Sequence, residues 1–271
     1  MAAMGATFAG CSILITGASE GIGRALALEL ARDRPKLTLA ARNAERLASL
    51  AVECRKLGAE AVAVGVDLAN IEDCAQAVAA ALTQFGRLDI LVNNAGVTMW
   101  SRFDAIADAT VFEQLMRINY LSAVHCTRAA LPALRQSRGL IVAVASLAGL
   151  NGVPERSAYA ASKHAMMGFF ESLRIEIADS GVGVSIIAPD FVVSEIHRRA
   201  IGSDGRALGR TPMHEPSILT AEECARMMRG AIARRQRLLI TSWRGRVGRY
   251  LRPFLPRLMD RMAARAIRLR R

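Results

Sequence analysis

The strongest constraint on this chain is an alternation, kept up over most of its length, between short apolar runs and helix-like stretches. Ser12–Thr16, Leu37–Ala41, Ala61–Val66, Leu88–Val92, Leu140–Ala145, Val184–Ile187 and Arg237–Thr241 read as strands. Helical patterns run from Ile22 to Asp33, on to Leu57, and over Asp73–Phe85, Asp108–Arg135 and Ala158–Asp179. The strand segments are continuous apolar runs, as expected where helices cover both faces of a sheet. Crossovers of helix length make successive strands parallel.

The fold expected is therefore α/β, a doubly wound parallel sheet of Rossmann-like topology in a single domain. Residues 1–241 form its body and 242–271 a basic amphipathic C-terminal extension. Within the body, 190–219 breaks the pattern with Gly202, Gly205, Gly209, Pro212 and Pro216 and reads as a lid or substrate loop. A helix restarts at Thr220, where Thr220 and Glu223 can form a capping box. At 52% hydrophobic and 22% charged, the 271 residues carry ample core and are not disordered. Five scattered cysteines form no C-x-x-C pair and no metal-like spacing with the histidines, so no metal site is expected. No segment approaches the ~20 apolar residues of a spanning helix, and the expectation is a cytoplasmic protein.

T-G-A-S-E-G-I-G (Thr16–Gly23) lies between the first strand and the first helix, where a phosphate-binding turn belongs. Gly17 permits the tight turn, Gly21 lets main-chain N–H groups approach a pyrophosphate, and Gly23 allows close helix–sheet packing. After the second strand stands Arg42 instead of the acid that would accept from free ribose hydroxyls. Its planar fork suits a 2′-phosphate, which favours NADP(H) over NAD(H).

Four more signals follow in order. N-N-A-G (Asn93–Gly96) closes the fourth strand. Asn119 falls inside a long helical region, Ser146 ends the fifth strand, and Tyr159 and Lys163 in Y-A-A-S-K share one helix face. Lys163 is one of only three lysines against 33 arginines, which argues for a compact ammonium at that place.

With these residues the chain, from about Ser12 to Ser194, resembles the short-chain dehydrogenase/reductase family, whose marks are the TGxxxGxG turn, the NNAG segment and the YxxxK pair. The resemblance implies an oxidoreductase acting on a carbonyl or secondary alcohol. It implies that Tyr159 passes the proton and that Lys163 favours its phenolate and holds the nicotinamide ribose. Ser146 would bind the substrate oxygen, and Asn119 would place a water that relays protons to Lys163. It also implies cofactor contacts from Ser19, Ile22, Asn43, Asp67, Leu68, Asn94, Ala95, Gly96, Pro189, Val192 and Ser194. Asp190, where the family commonly has glycine, and Ser194, where threonine is usual, depart from its pattern at the nicotinamide end.

No polar set names a substrate. Met99, Trp100, Phe191, Ile196, His197, Met213 and His214 suggest a partly apolar pocket for a lipophilic ketone, aldehyde or alcohol. The formal net charge of +12 sits in the tail, where residues 234–271 hold thirteen arginines and one acid, Asp260. Apolar residues from Leu251 to Leu269 follow helical spacing opposite arginines, with the helix starting near Pro256. Such a helix can lie on an anionic membrane surface, or pack on the body or a partner subunit. No nucleic-acid module or stacking aromatics accompany it, and no nucleic-acid partner is expected. The family resemblance implies a homodimer or homotetramer through the helices near 108–135 and 158–179. The other readings are a non-catalytic NADP(H)-binding regulator or membrane-associated scaffold, and an epimerase or dehydratase. The intact Asn119, Ser146, Tyr159 and Lys163 set opposes the first, and the missing larger substrate domain opposes the second.

Overall fold

In the computed structural model, which describes residues 8–193, 195–210 and 218–268, seven parallel strands form one sheet. They are β1 (Ser12–Thr16), β2 (Lys36–Ala41), β3 (Glu60–Gly65), β4 (Ile90–Asn93), β5 (Leu140–Val144), β6 (Gly183–Ala188) and β7 (Leu238–Ile240), in the order β3-β2-β1-β4-β5-β6-β7. The helices between them are α1 (Gly21–Ala31), α2 (Ala44–Lys56), α3 (Ile71–Phe85), α4 (Thr110–Met116), α5 (Ser122–Ser137), α6 (Ser157–Glu176) and α7 (Ala221–Ala233). The doubly wound expectation holds.

The continuous apolar runs mark the strands that lie inside the sheet. Every residue of β1, β4 and β5 is buried, because helices cover both faces. The edge strand β3 differs, and Ala61 is its sole buried residue. One core layer gathers Leu26, Leu39, Leu50 and Met228 between the sheet and α1, α2 and α7. The opposite layer gathers Leu91, Cys126, Leu134 and Phe170 beneath α3, α5 and α6. The Thr220 capping box forms as read, with the hydroxyl accepting from Glu223 N and the Glu223 carboxylate accepting from Thr220 N. Such a cap contributes about 1 kcal/mol.

The strand order reverses between β1 and β4, and this sets the site. Ile13 pairs with Leu37 of β2 on one side and Ile90 of β4 on the other. Chains leaving the carboxyl ends of β1 and β4 diverge to opposite faces, opening the crevice where ligands of such sheets bind. Thr16 ties the crevice floor: its hydroxyl donates to Val92 O at 3.1 Å and accepts from Asn94 N at 2.9 Å.

Two elements were not anticipated. The helix expected over 108–135 contains a π-helical turn, Arg117–Leu121, between α4 and α5. Beyond β7, a helix α8 (Trp243–Leu251) precedes α9 (Pro256–Arg268), the latter beginning where the proline indicated. Among the described residues no helix is long and apolar enough to cross a membrane.

Candidate active site

The glycine turn has the shape its sequence requires. Gly17 and Gly21 adopt φ of +64° and +55°, in the left-handed region that disfavours side chains. A Cβ on Gly23 would stand 2.4 Å from the Gly17 carbonyl oxygen, so helix and turn touch only because that atom is missing. At the start of α1, Glu20 makes no side-chain cap and the first turn holds no acid. The first N–H groups of α1 are thus left for an anion, which fits a pyrophosphate.

One cavity of about 520 Å³ runs along the carboxyl edge of the sheet. At its first end lie Gly17, Ser19, Gly21 and Ile22, with Arg42 and Asn43 after β2 and Asp67 and Leu68 after β3. Arg42 is exposed and enters no ion pair among the described residues. The Asn43 side chain is engaged, accepting from Arg46 N at 2.8 Å to cap α2. In the middle, Asn94, Ala95 and Gly96 line the cavity, and the Asn94 amide donates to Thr16 O and Gly17 O. Pro189 and Val192 line the far end, beside Asp190. Ser194 lies outside the described residues.

Ser146, Tyr159 and Lys163 open on this same cavity. Ser146 follows β5, and its Oγ accepts from Ala148 N at 3.1 Å, capping a short 3₁₀ turn. That turn presses on α6 so closely that a Cβ on Gly149 would be 2.7 Å from Lys163 O. Tyr159 and Lys163 stand one turn apart on α6, with Nζ 5.9 Å from the phenol ring centre. Lys163 Nζ donates to Val144 O at 2.8 Å. Burial without a countercharge draws its pKa down to about 7.

Asn119 does not line the cavity. It is fully buried in the π-helical turn, a distortion often found at functional sites. Its Oδ1 accepts from Val97 N at 2.7 Å, and its Nδ2 donates to Val97 O and Ser162 Oγ, each at 2.9 Å. A Cβ on Gly96 would lie 3.2 Å from Asn119 Oδ1 and 3.6 Å from Lys163 Nζ, so both side chains converge on that glycine.

The substrate end differs in part from the expectation. Phe191, Ile196 and His197 line the cavity, but Met99 and Trp100 do not. Met99 is wholly buried in a small core with Leu115 and Ala158, because it pairs with Ile201 in an isolated bridge. Trp100 donates its indole N–H to Glu155 and stacks beneath the Arg156 guanidinium at 4.4 Å. Met213 and His214 lie outside the described residues. Arg156, three residues before Tyr159, was not singled out from the sequence. It lines the cavity nearly buried, against the rings of Trp100, Tyr159 and Phe191, and bonds His197 Nδ1 at 3.2 Å. An arginine opening the helix of the YxxxK pair was the available signal.

Tail residues also reach the site. Met259, Met262 and Ala263 of α9, with Arg244 and Arg252 of α8 and its C-cap, line the cavity. Arg252 donates to the Leu150 carbonyl beside the Ser146 turn. Gly245 lets α8 meet Leu147, whose side chain would be 2.6 Å from a Cβ there.

A parallel sheet whose switch point carries a glycine turn on one side and a tyrosine–lysine pair on the other defines an α/β oxidoreductase. Residues 12–202 match the short chain dehydrogenase family, and the chain belongs to it. Among curated relatives, 11-beta-hydroxysteroid dehydrogenase 1A of Arabidopsis thaliana is 39% identical over 239 residues, 85% of this chain and 68% of that protein. Dehydrogenase/reductase SDR family member 7B of Rattus norvegicus is 34% identical over 264 residues, 94% of this chain and 81% of that protein. Among solved structures, a short chain dehydrogenase/reductase from Burkholderia phymatum in complex with NAD aligns with a TM-score of 0.80 at 27% identity, covering 93% of this chain and 96% of that one. An alcohol dehydrogenase from Thermococcus sibiricus complexed with 5-hydroxy-NADP aligns with a TM-score of 0.74 at 26% identity, covering 84% and 94%.

Proposed function

We propose that this oxidoreductase is NADP(H)-dependent and interconverts a lipophilic ketone or aldehyde with the corresponding alcohol. Steroid-like and fatty carbonyls are the favoured substrates. The observation that carries the reading is a single cavity with the exposed Arg42 at one end and Tyr159, Lys163 and Ser146 opening on its other part. Relatives bearing the name hydroxysteroid dehydrogenase support the substrate class.

Gly17, Ser19, Gly21, Ile22 and Gly23 shape the pyrophosphate cradle, and Arg42 pairs with the 2′-phosphate. Asn43, Asp67 and Leu68 take the adenosine end, and Asn94, Ala95 and Gly96 the nicotinamide ribose with Lys163. Pro189 and Val192 meet the carboxamide, the contact to which the family resemblance also assigns Ser194. The bound nicotinamide supplies or accepts the hydride. In reduction, Tyr159 gives its phenolic proton to the substrate oxygen while Ser146 donates a hydrogen bond to the same atom. Lys163, in its protonated form, favours the phenolate that remains. Asn119 holds the Val97 main chain to Ser162 of α6, and its Oδ1 keeps a second acceptor site for a relay water.

The tail is proposed to rest on an anionic membrane surface. Trp243, Tyr250 and Phe254 are 65%, 74% and 81% exposed, interleaved with Arg244, Arg246, Arg249 and Arg252. Aromatic and cationic groups together suit the headgroup layer. Assembly as a homodimer or homotetramer is proposed through α4, α5 and α6, where Leu121 of the π-helical turn between α4 and α5 and Ile175 of α6 are exposed.

The test is NADPH oxidation by purified protein with carbonyls graded from small diketones to long-chain and steroidal ketones, with Tyr159→Phe as control. Turnover that rises with apolar size and falls by about 10²–10⁴-fold in the variant supports the reading. Turnover undiminished in Tyr159→Phe refutes it.

A further inference from the structure

We propose that Glu20, Arg46 and Arg199 form a clasp across the dinucleotide groove that retains bound cofactor, with the Glu20 carboxylate as its shared anchor. The inference rests on the reading of this groove as the cofactor site.

Glu20 is an unexpected residue in a phosphate turn. A carboxylate at the start of α1 opposes an incoming pyrophosphate unless cations offset it. Two do. Arg46 Nη1 donates to Glu20 Oε2 at 2.8 Å, and Arg199 Nη1 donates to Oε1 at 2.6 Å. The carboxylate and two guanidiniums leave one net positive charge beside the groove, and Arg42 adds another.

The two arginines come from different walls. Arg46 stands in the first turn of α2, after β2. Arg199 belongs to the segment after β6, 179 residues along the chain from Glu20. Glu20 and Arg199 both line the cavity that holds Tyr159 and Lys163. Their ion pair ties the glycine turn to the segment that also presents Val192, Ile196 and His197 to that cavity. Opening the groove by moving that segment from the turn must break this pair.

Magnitude decides what the clasp can do. The arginine side chains are 48–49% exposed and Glu20 is 27% exposed. Pairs this exposed are too weak to govern folding but strong enough to change an opening rate severalfold. The effect should therefore fall on cofactor release, leaving stability almost unchanged.

The test follows fluorescence after mixing enzyme-bound NADPH with excess oxidised cofactor in a stopped-flow instrument. If NADH proves the tighter ligand, it replaces NADPH as the probe. Glu20→Gln and Arg199→Gln should each raise the dissociation rate, by about 1.4-fold to 5-fold, the size expected of one such pair. The double variant should match Glu20→Gln, because that substitution already removes the contact that Arg199 makes. The ratio of variant to wild-type release rates should shrink toward one with added salt, because salt screens the pair that the variants lack. All three variants should melt with the wild type. Release rates equal to or slower than wild type, or additive effects in the double variant, overturn the clasp alone. Failure of the wild-type protein to bind either cofactor overturns the clasp and the proposed function together.

Discussion

Lys163 Nζ donates a 2.8 Å hydrogen bond to the main-chain carbonyl of Val144, the last residue of β5. A carbonyl oxygen offsets part of the desolvation of an ammonium but brings no countercharge, so burial pulls the pKa to about 7 from the ordinary 10.5. The sign of the linkage follows. Between pH 7 and 10.5 the unfolded chain binds the proton and the folded chain does not, so stability rises with pH across that window. The penalty is fully present below pH 7. The limiting slope is about 1.4 kcal/mol per pH unit from this one group.

Urea unfolding of the cofactor-free protein at pH 7, 8 and 9 therefore should show rising stability, and Lys163→Met should flatten the rise. The variant should be at least as stable as the wild type at pH 7, since it removes a buried charge without emptying the site. Parallel profiles for the two proteins would refute this account of Lys163.

Gly23 and Gly152 give a paired prediction. Alanine at 23 would put its methyl 2.4 Å from Gly17 O and 2.5 Å from Asn94 Nδ2, while alanine at 152 meets nothing within 4 Å. Gly23→Ala should weaken NADPH binding at least tenfold and cost about 1–3 kcal/mol of stability, as overpacking does. Gly152→Ala should bind cofactor as the wild type does. Isothermal titration and urea unfolding of the pair check both.

Arg42 carries the cofactor preference in the proposed function. Loss of a charge-assisted bond to phosphate costs about 1.5–3 kcal/mol, so Arg42→Ala should weaken NADPH binding about tenfold or more. NADH, with no 2′-phosphate, should bind the variant as it binds the wild type. Equal losses for both cofactors would show that Arg42 shapes the groove and does not read the phosphate.

The sequence was most legible where chemistry and position are set by adjacent residues. Ser12–Thr16 was found at its observed bounds because the buried apolar run Ile13–Ile15 is closed by Ser12 on one side and by Thr16 and the glycine turn on the other. Thr220 and Glu223 declared their helix start through a local reciprocal bond. Tyr159 and Lys163 were visible as a pair because one helical turn separates them. What escaped depends on distant neighbours. Helix α8 contains Gly245, Gly248 and three arginines, and forms because Gly245 can seat against Leu147, nearly a hundred residues away. The π-helical turn follows from Asn119 reaching the main chain of Val97, which no periodicity reports. Trp100 read as a pocket wall because apolar residues after β4 commonly are, but Glu155 and Arg156 hold it beneath the site.

The tail offers the sharpest remaining test, because its two sides make different demands. Met259, Met262 and Ala263 look onto the cavity, while Trp243, Tyr250 and Phe254 are exposed. Truncation after Thr241 removes both sides at once, and two assays separate them. If the exposed aromatics and arginines hold a membrane, the full chain should sediment with phosphatidylserine vesicles and the shortened chain should not, with the difference fading at high salt. If α9 roofs the substrate end, the shortened chain should show a raised KM for long apolar ketones while keeping kcat and KM for a small diketone, which needs no roof. Loss of vesicle binding with an unchanged substrate profile would make the tail a membrane anchor only. The reverse outcome would make it part of the pocket wall and refute the membrane reading, leaving the exposed aromatics to contact a partner subunit.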